Sequence, residues 1–386
     1  MSTPSVLVLS NCFAPNVGGV ETHLTDLTTA LAQRGWQVKV LAFYPHTTRV
    51  AWKRYEEQAG GGIQIWRLWW FGHNWFHVLE KYPPLQFLYL VPRLFVGTLV
   101  WLIQRHRSIT VIHAHGLAAG FCARILGRWF NKRIVLSSHA VYNFQTGSGL
   151  SRMVRWILSG MDATLTLSEQ SREELIRIGL APERVKTYQH WIDFETFSPG
   201  DRVTARTRLG VRGSDPVCLF VGRLIAPKGV RLFLELARDP RFQTAQFWVA
   251  GVGPLENEVQ AEAASNPKVR FLGNINNADL PDYYRAADIL CVPSQYQEGF
   301  GRVILEAMAC GTPVLASDCP GIREALAGEG GWLVPATREG FAEQLRELFA
   351  RPEDLAGRRR ACRRLTEERY SIQNVEVIEK ALKGDA

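Results

Sequence analysis

Apolar residues in this chain fall into two alternating patterns. Short unbroken runs, Val6 to Ser10, Trp36 to Ala42, Thr110 to Ala114, Ile134 to Ser138 and Asp162 to Leu167, read as strands buried on both faces. Between them lie stretches with apolar positions three or four residues apart, such as Leu24, Leu27 and Leu31, which read as helices. Ser168-Glu169-Gln170-Ser171 opens another helix with a capping serine. The alternation resumes with Val217 to Val221, Phe247 to Ala250, Val269 to Gly273, Asp288 to Pro293 and Gly330 to Val334. Strands that take turns with helices predict parallel sheets, so the chain reads as α/β with two doubly wound domains. Its 386 residues, 46% of them hydrophobic, fit two to three domains with large cores.

One stretch departs from this pattern. Residues 65–77 carry Trp66, Trp69, Trp70, Phe71, Trp75 and Phe76, and the run from Leu85 to Ile103 is almost wholly apolar. That run approaches the roughly 20 residues of a membrane span. Pro92 and Arg93 at its middle argue against one, because an arginine there costs about 2.5 to 3.5 kcal/mol. Two readings stand. In the first, a helix from Pro92 to Gln104 packs on the sheet as core. In the second, the aromatic residues, with Arg67, Lys81, Arg93, Arg105 and Arg107 nearby, sit at headgroup level on an anionic membrane surface.

Charge sharpens the contrast between the halves. Residues 1–195 hold 20 Lys and Arg against 12 Asp and Glu, whereas 196–386 hold 25 of each, so the whole net charge of +8 belongs to the first half. Ten of the twelve tryptophans are there too, which suggests an anionic surface or partner for that half. Nucleic acid is not the expected partner, since no recognition motif is present and the tryptophans are not interleaved with clustered lysines. The seven cysteines show no C-x-x-C spacing, which argues against zinc or a disulfide framework and for a reducing compartment. The first ten residues lack a basic n-region before their apolar run, so a cytoplasmic protein is expected, peripheral on the inner face of the membrane if the aromatic half meets lipid.

The chemistry concentrates where strands end. Ser294 to Ala316 reads as a loop containing Glu298, Gly299, Phe300 and Gly301, then a helix bearing Glu306, then a Gly-Thr-Pro stop and a further strand. Glycines and a helix start offer close backbone amides, and flanking carboxylates accept hydrogen bonds from hydroxyls, a combination suited to a sugar attached to a phosphate. Two solvated glutamates on a surface helix are the plain alternative. Gly18-Gly19 ahead of the first helix reads either as a phosphate-facing turn or as a tight turn alone. Gly222-Arg223 and Lys228-Gly229 follow a strand directly, and a planar guanidinium with a mobile ammonium can hold a diphosphate without a metal. Gly251-Val252-Gly253-Pro254 lacks the third glycine of a dinucleotide fingerprint, so no nicotinamide or other cofactor is expected. His113, His115 and His139 lie at strand ends, a common place for hydrogen-bonded structural imidazoles, and their spacing is not that of a metal site.

Glu298-Gly-Phe-Gly-(x4)-Glu306, followed by Ala-Met-Ala-Cys-Gly-Thr-Pro-Val-Leu-Ala, resembles the signature of the retaining glycosyltransferases of family 4, which have the GT-B fold: two Rossmann-like domains facing across a cleft. Gly222-Arg-Leu-(x3)-Lys-Gly229 is similar to a second motif of that family. The resemblance is sharp over 217–335 and loose over 45–105. It implies an acceptor-binding domain (1–195), a nucleotide-sugar-binding domain (196–368) and a tail helix (369–386) that crosses back to the first. By the same resemblance Glu298, Gly299, Phe300 and Gly301 face the donor sugar, Glu306 the ribose, Arg223 and Lys228 the diphosphate, and Leu272 the base. Gly18 and Gly19 approach the donor phosphates, Gly222, Gly251 and Gly253 line the donor site, and His139 lies beside sugar and phosphate; His115 and His113 are candidates for lining the acceptor side. Gln189-His190-Trp191-Ile192-Asp193 stands where the family link usually reads Asn-Gly-Val-Asp, so His190-Trp191 is a departure.

The expected activity is metal-independent transfer of a hexose, with retention, from a UDP- or GDP-linked sugar to a lipid-linked sugar or polysaccharide, as in lipopolysaccharide biosynthesis. A sugar-nucleotide epimerase or phosphorylase of the same fold, or a silent sugar-nucleotide-binding partner protein, would share much of the architecture.

Overall fold

The computed structural model describes residues 3–16, 18–45, 50–72, 75–79, 82–139, 147–211, 213–296 and 300–385. The chain divides into two compact units: Met1–His190 with Gln373–Ala386, and Trp191–Ile372. In the sequence reading the joints fall at 195/196 and 368/369.

In the first unit, in chain order, come β1 (Ser5–Ser10), α1 (Gly19–Gln33), β2 (Gln37–Phe43), β3 (Tyr55–Gln58), β4 (Ile63–Leu68), α2 (Trp75–Leu79) and α3 (Pro83–Arg105). They continue with β5 (Val111–His115), α4 (Leu117–Trp129), β6 (Arg133–Ser138), α5 (Gly149–Leu158), β7 (Ala163–Thr166), α6 (Glu169–Arg177) and β8 (Val185–Thr187). The eight strands lie in the order β3-β4-β2-β1-β5-β6-β7-β8, and all pairs are parallel except β3 with β4. From β1 the chain winds outward to β2 and β4, then returns to place β5 on the other side of β1. Loops leaving β1 and β5 therefore diverge, and a crevice opens at the strands' C-terminal ends.

The second unit holds α7 (Arg202–Arg208), β9 (Val217–Val221), α8 (Val230–Ala237), β10 (Gln246–Ala250), α9 (Glu256–Ser265), β11 (Val269–Gly273) and α10 (Leu280–Ala286). After them come β12 (Ile289–Val292), α11 (Arg302–Ala309), β13 (Val314–Ser317), α12 (Pro320–Leu326), β14 (Gly331–Val334), α13 (Arg338–Ala350) and α14 (Pro352–Arg369). Its six strands are parallel in the order β11-β10-β9-β12-β13-β14, and the winding reverses between β9 and β12. Both faces are covered. Val217 and Leu219 point into a layer with α10, α11 and α12, while Cys218 and Phe220 point into the opposite layer with α8 and α13. Two-faced burial explains why these strands read as unbroken apolar runs.

The last helix, α15 (Val375–Lys383), belongs to the first unit, where it packs on α1 and β6. Its buried residues Val375, Ile378, Ala381 and Leu382 form one stripe. Glu379 at the stripe's edge accepts from Trp36 Nε1 and Arg34 at 3.2 Å each, and Arg133 Nε donates to the Ala381 carbonyl at 2.9 Å.

Helix α3 differs from its sequence expectation. It begins at Pro83, nine residues before Pro92, and Pro92 lies inside it. Pro92 sits on the exposed side, and the carbonyl it leaves without an amide partner, that of Leu88, lies on that same side, where water can satisfy it. The opposite side is core: Leu90, Leu94, Trp101 and Leu102 are buried, and a Cβ on Gly97 would come within 2.5 Å of Leu68. Leu94→Ala should therefore destabilise the fold by about 2 to 5 kcal/mol, and Val96→Ala on the exposed side by no more than about 0.5 kcal/mol. Equilibrium unfolding in urea would check both.

Candidate functional site

At the β1/β5 crevice, the segment from Asn11 leads to Gly18, which caps α1 in extended geometry without a side-chain hydrogen bond, and Gly19 opens the helix. A Cβ on Gly19 would meet nothing within 4 Å, so the helix start is open on that side. Behind it lies a group of imidazoles. His23 comes from α1, His113 and His115 from β5, His139 from the end of β6, and His190 follows β8; these are five of the chain's nine histidines. His115 Nδ1 and His139 Nε2 share a proton at 2.9 Å with their rings stacked, centroids 5.2 Å apart. His113 Nε2 bonds Ser137 Oγ at 2.8 Å, and its ring lies 4.1 Å from that of His115. His23 Nε2 bonds the Tyr188 hydroxyl at 3.0 Å and stands edge-on to His190 at 4.7 Å and His139 at 5.5 Å.

Burial sets the charge of this group. Removal from water pushes His139 down to about 4 and His113 to about 3, the latter with His139 adding to the effect. His115 also falls well below 6.5, chiefly by burial and then by its two histidine neighbours. Near neutral pH these three rings are uncharged, so each offers one donor and one acceptor. His23 and Tyr188 escaped the sequence reading because a histidine one turn into a helix gives no local sign of which strand ends it will meet.

At the β9/β12 crevice, three loops are clamped together by backbone. Leu224 N donates to Val252 O at 2.9 Å, Gly222 N to Ala250 O at 3.1 Å, and Gly251 N to Gly273 O at 2.8 Å, which sets Leu272 on β11 beside the turn. A Cβ on Gly251 would fall 1.9 Å from the Gly222 carbonyl oxygen, and one on Gly253 2.6 Å from that of Leu224. On the other flank a Cβ on Gly229 would fall 1.8 Å from Pro293 O, and Gln295 N donates to Pro227 O at 2.8 Å. Arg223 and Lys228 thus leave a loop held between the end of β10 and the loop after β12, both half-buried. Lys228 Nζ lies 5.5 Å from the Tyr296 ring.

Glu298 and Gly299 lie outside the described residues. Phe300 turns its ring into the core, 3% exposed and edge-on to Tyr370 at 5.7 Å, so only its backbone can meet a ligand. Gly301 caps α11 in the left-handed conformation. Glu306 follows in the second turn, 6% exposed, and accepts from the Tyr284 hydroxyl at 2.9 Å, with Arg302 Nε 3.8 Å from its other oxygen. Burial and the Glu306 charge push the Tyr284 phenol well above its ordinary range, so it stays a donor. Chemically, the second unit joins two cations, open backbone and an oriented carboxylate, whereas the first presents neutral imidazoles.

The imidazoles give the fold a pH dependence. Folded, His139 takes a proton only near pH 4, whereas unfolded it does so near 6.5. Between those values the unfolded chain binds more protons, so stability is full above pH 6.5 and declines as pH falls towards 4. Unfolding measured along that range should show this slope, and His113→Asn should make it shallower.

The comparisons with known proteins agree with this architecture. A family profile described as Glycosyltransferase Family 4 matches residues 17–196, and one described as Glycosyl transferases group 1 matches residues 215–351. The chain is 31% identical over 296 residues to D-inositol 3-phosphate glycosyltransferase 1 of Catenulispora acidiphila, spanning 70% of this chain and 71% of that one. Alignments to other D-inositol 3-phosphate glycosyltransferases span 46% to 66% of those proteins. Sucrose-phosphate synthase of Thermosynechococcus elongatus superposes with a TM-score of 0.83 at 22% identity, covering 99% of this chain and 98% of that one. Anabaena HepE in complex with UDP-glucose gives 0.76 at 18%, covering 98% and 99%. These two likenesses are of fold. With two parallel-sheet α/β domains and both family profiles matched in order, the chain belongs to glycosyltransferase family 4 and has the GT-B fold.

Proposed function

We propose that this glycosyltransferase moves a hexose from a UDP- or GDP-linked sugar to a lipid-linked sugar or growing polysaccharide, with retention at the anomeric carbon and without a divalent ion. The observation that carries the reading is the placement of Arg223 and Lys228 on one backbone-clamped loop beside Tyr296, in the loop that leads to Glu298. As the sugar–phosphate bond breaks, positive charge grows on the sugar ring and negative charge on the leaving diphosphate. Two fixed cations stabilise the second of these most when bond breaking is advanced, which lowers the barrier instead of only tightening ground-state binding. They also fill the part that a metal ion plays at other diphosphate sites.

The remaining roles follow from chemistry and family resemblance. Glu306, oriented by Tyr284, accepts from ribose hydroxyls, and Glu298 with the Gly299, Phe300 and Gly301 backbone takes the sugar hydroxyls. The turn at Gly222, Gly251 and Gly253 lets the nucleotide approach the backbone, and Leu272 lies towards the base. In the first unit, Gly18 and Gly19 support the phosphates, and His139, neutral and oriented by its bond to His115, positions sugar and phosphate without adding charge. No nucleophile is assigned: the departing phosphate oxygen takes the acceptor's proton as the new bond forms on the same face. A nucleotide-sugar donor is supported by the HepE fold neighbour, which is described in complex with UDP-glucose. An acceptor bearing phosphate suits the cationic first half, and the relative named for inositol 3-phosphate acts on such a compound. The seven free, buried cysteines fit a reducing, cytoplasmic setting.

A thermal-shift screen of UDP- and GDP-hexoses should pick out the donor, and its nucleotide should be released only when acceptor is present. Lys228→Ala and Glu298→Ala should each lower kcat by about 100-fold or more; normal turnover by both would refute the assignment. Tyr284→Phe, which removes the hydroxyl bonded to Glu306, should raise the donor KM with little change in kcat.

A further inference from the structure

We infer that the outer face of α3, α4 and α5 is a docking surface for an anionic phospholipid bilayer, on which the first unit lies without crossing it. Three independent features converge on that face. The first is a stripe. Along α3, Leu85, Leu88, Pro92, Val96, Val100 and Ile103 are exposed at spacings of three and four, so one whole side of a helix about 35 Å long is apolar and open to solvent.

The second is continuity. Phe95 of α3 meets the exposed Trp129 at the end of α4, with centroids 6.3 Å apart. Phe87 meets Phe121 of α4 at 5.5 Å, and Phe121 meets the exposed Trp156 of α5 at 5.8 Å. At the other edge Arg93 Nε donates to the carbonyl of the exposed Trp69 at 3.0 Å. Isolated apolar residues on a surface are ordinary, but a connected apolar face of this extent marks an interaction site.

The third feature selects the partner. Between Glu80 and Asp162 the chain runs 81 residues without one carboxylate, while carrying ten Lys and Arg. That run contains α3, α4 and α5. Arg107, Arg128, Arg152 and Arg155 are exposed on it, and Arg124 stacks on Trp156 at 4.2 Å. A protein partner would ordinarily be met by mixed charge. An apolar stripe on elements that carry cations and tryptophans but no carboxylate of their own matches the layering of acyl chains, interface and anionic headgroups.

Helix α3 is long and apolar enough to span a membrane, but it is committed to the core on its other side through Leu90, Leu94, Trp101 and Leu102. Spanning would strip those residues from the sheet. Lying flat uses both faces at once. This surface extends the proposed lipid-linked acceptor to the membrane that would carry it, yet its test needs neither donor nor acceptor, so the two ideas fail separately.

The test is co-sedimentation of the full chain with phosphatidylglycerol vesicles and, in parallel, phosphatidylcholine vesicles. Binding should be at least about tenfold stronger to the anionic vesicles at low salt and should fall about tenfold as salt is raised towards 0.5 M. Leu88→Gln/Val96→Gln/Val100→Gln and, separately, Arg128→Glu/Arg152→Glu should each weaken binding about tenfold while keeping the wild-type unfolding midpoint. Absence of binding to the anionic vesicles by folded protein, or equal binding by the folded variants, would overturn the inference. So would a dimer, seen by sedimentation velocity without vesicle binding and abolished by the triple change, which would make this face an interface between copies of the chain.

Discussion

The approach of backbone to backbone at the ends of β9, β10 and β12 is the constraint from which the second unit's chemistry follows. The Gly222 carbonyl oxygen occupies the place where any side chain at position 251 would begin, and the Pro293 carbonyl does the same at position 229. Only glycine permits either contact, because a side chain there would have to displace main chain held in its own hydrogen bonds. Three loops that would otherwise be independent become one surface. Arg223 and Lys228 gain a fixed base, and the backbone entropy of placing them is lost on folding instead of on binding.

The first unit solves a different problem with similar topology. Its crevice also lies where the winding reverses, and there imidazoles gather. Five rings from α1, β5, β6 and the segment after β8 gather there, and burial drives the proton off His113, His115 and His139 near neutral pH. Neutral rings can donate and accept without pulling a diphosphate towards themselves. The division is physically economical: charge stays with the unit proposed to hold the donor, and orientation with the other.

Helix α3 shows how one element can serve two environments. A strictly amphipathic helix would bury one side and wet the other with charge. This one is apolar on both sides, and its two sides meet unlike surroundings: sheet and α4 on one, open solvent on the other. Core helix and interfacial aromatic surface, the two sequence readings of this stretch, do not exclude each other. Because a helix presents separate faces to separate neighbours, the core reading describes only one of them.

Periodicity along the chain was sufficient to reveal alternating strands and helices, and the motifs between 217 and 335 were sufficient to point to the family that the comparisons then established. Both are local properties: apolar runs follow from burial on two faces of a sheet, and glycine, proline and charge at loop positions follow from what the backbone must do there. Sequence did not reveal that His23 and His190 would join His115 and His139, that Lys228 would come to rest against Tyr296, that Phe300 would point inward, or that α3 would start nine residues early. Those outcomes depend on strand order and on which crossover returns to which edge. Residues some 25 to 170 positions apart become neighbours only when the sheets close, and no short-range pattern carries that information.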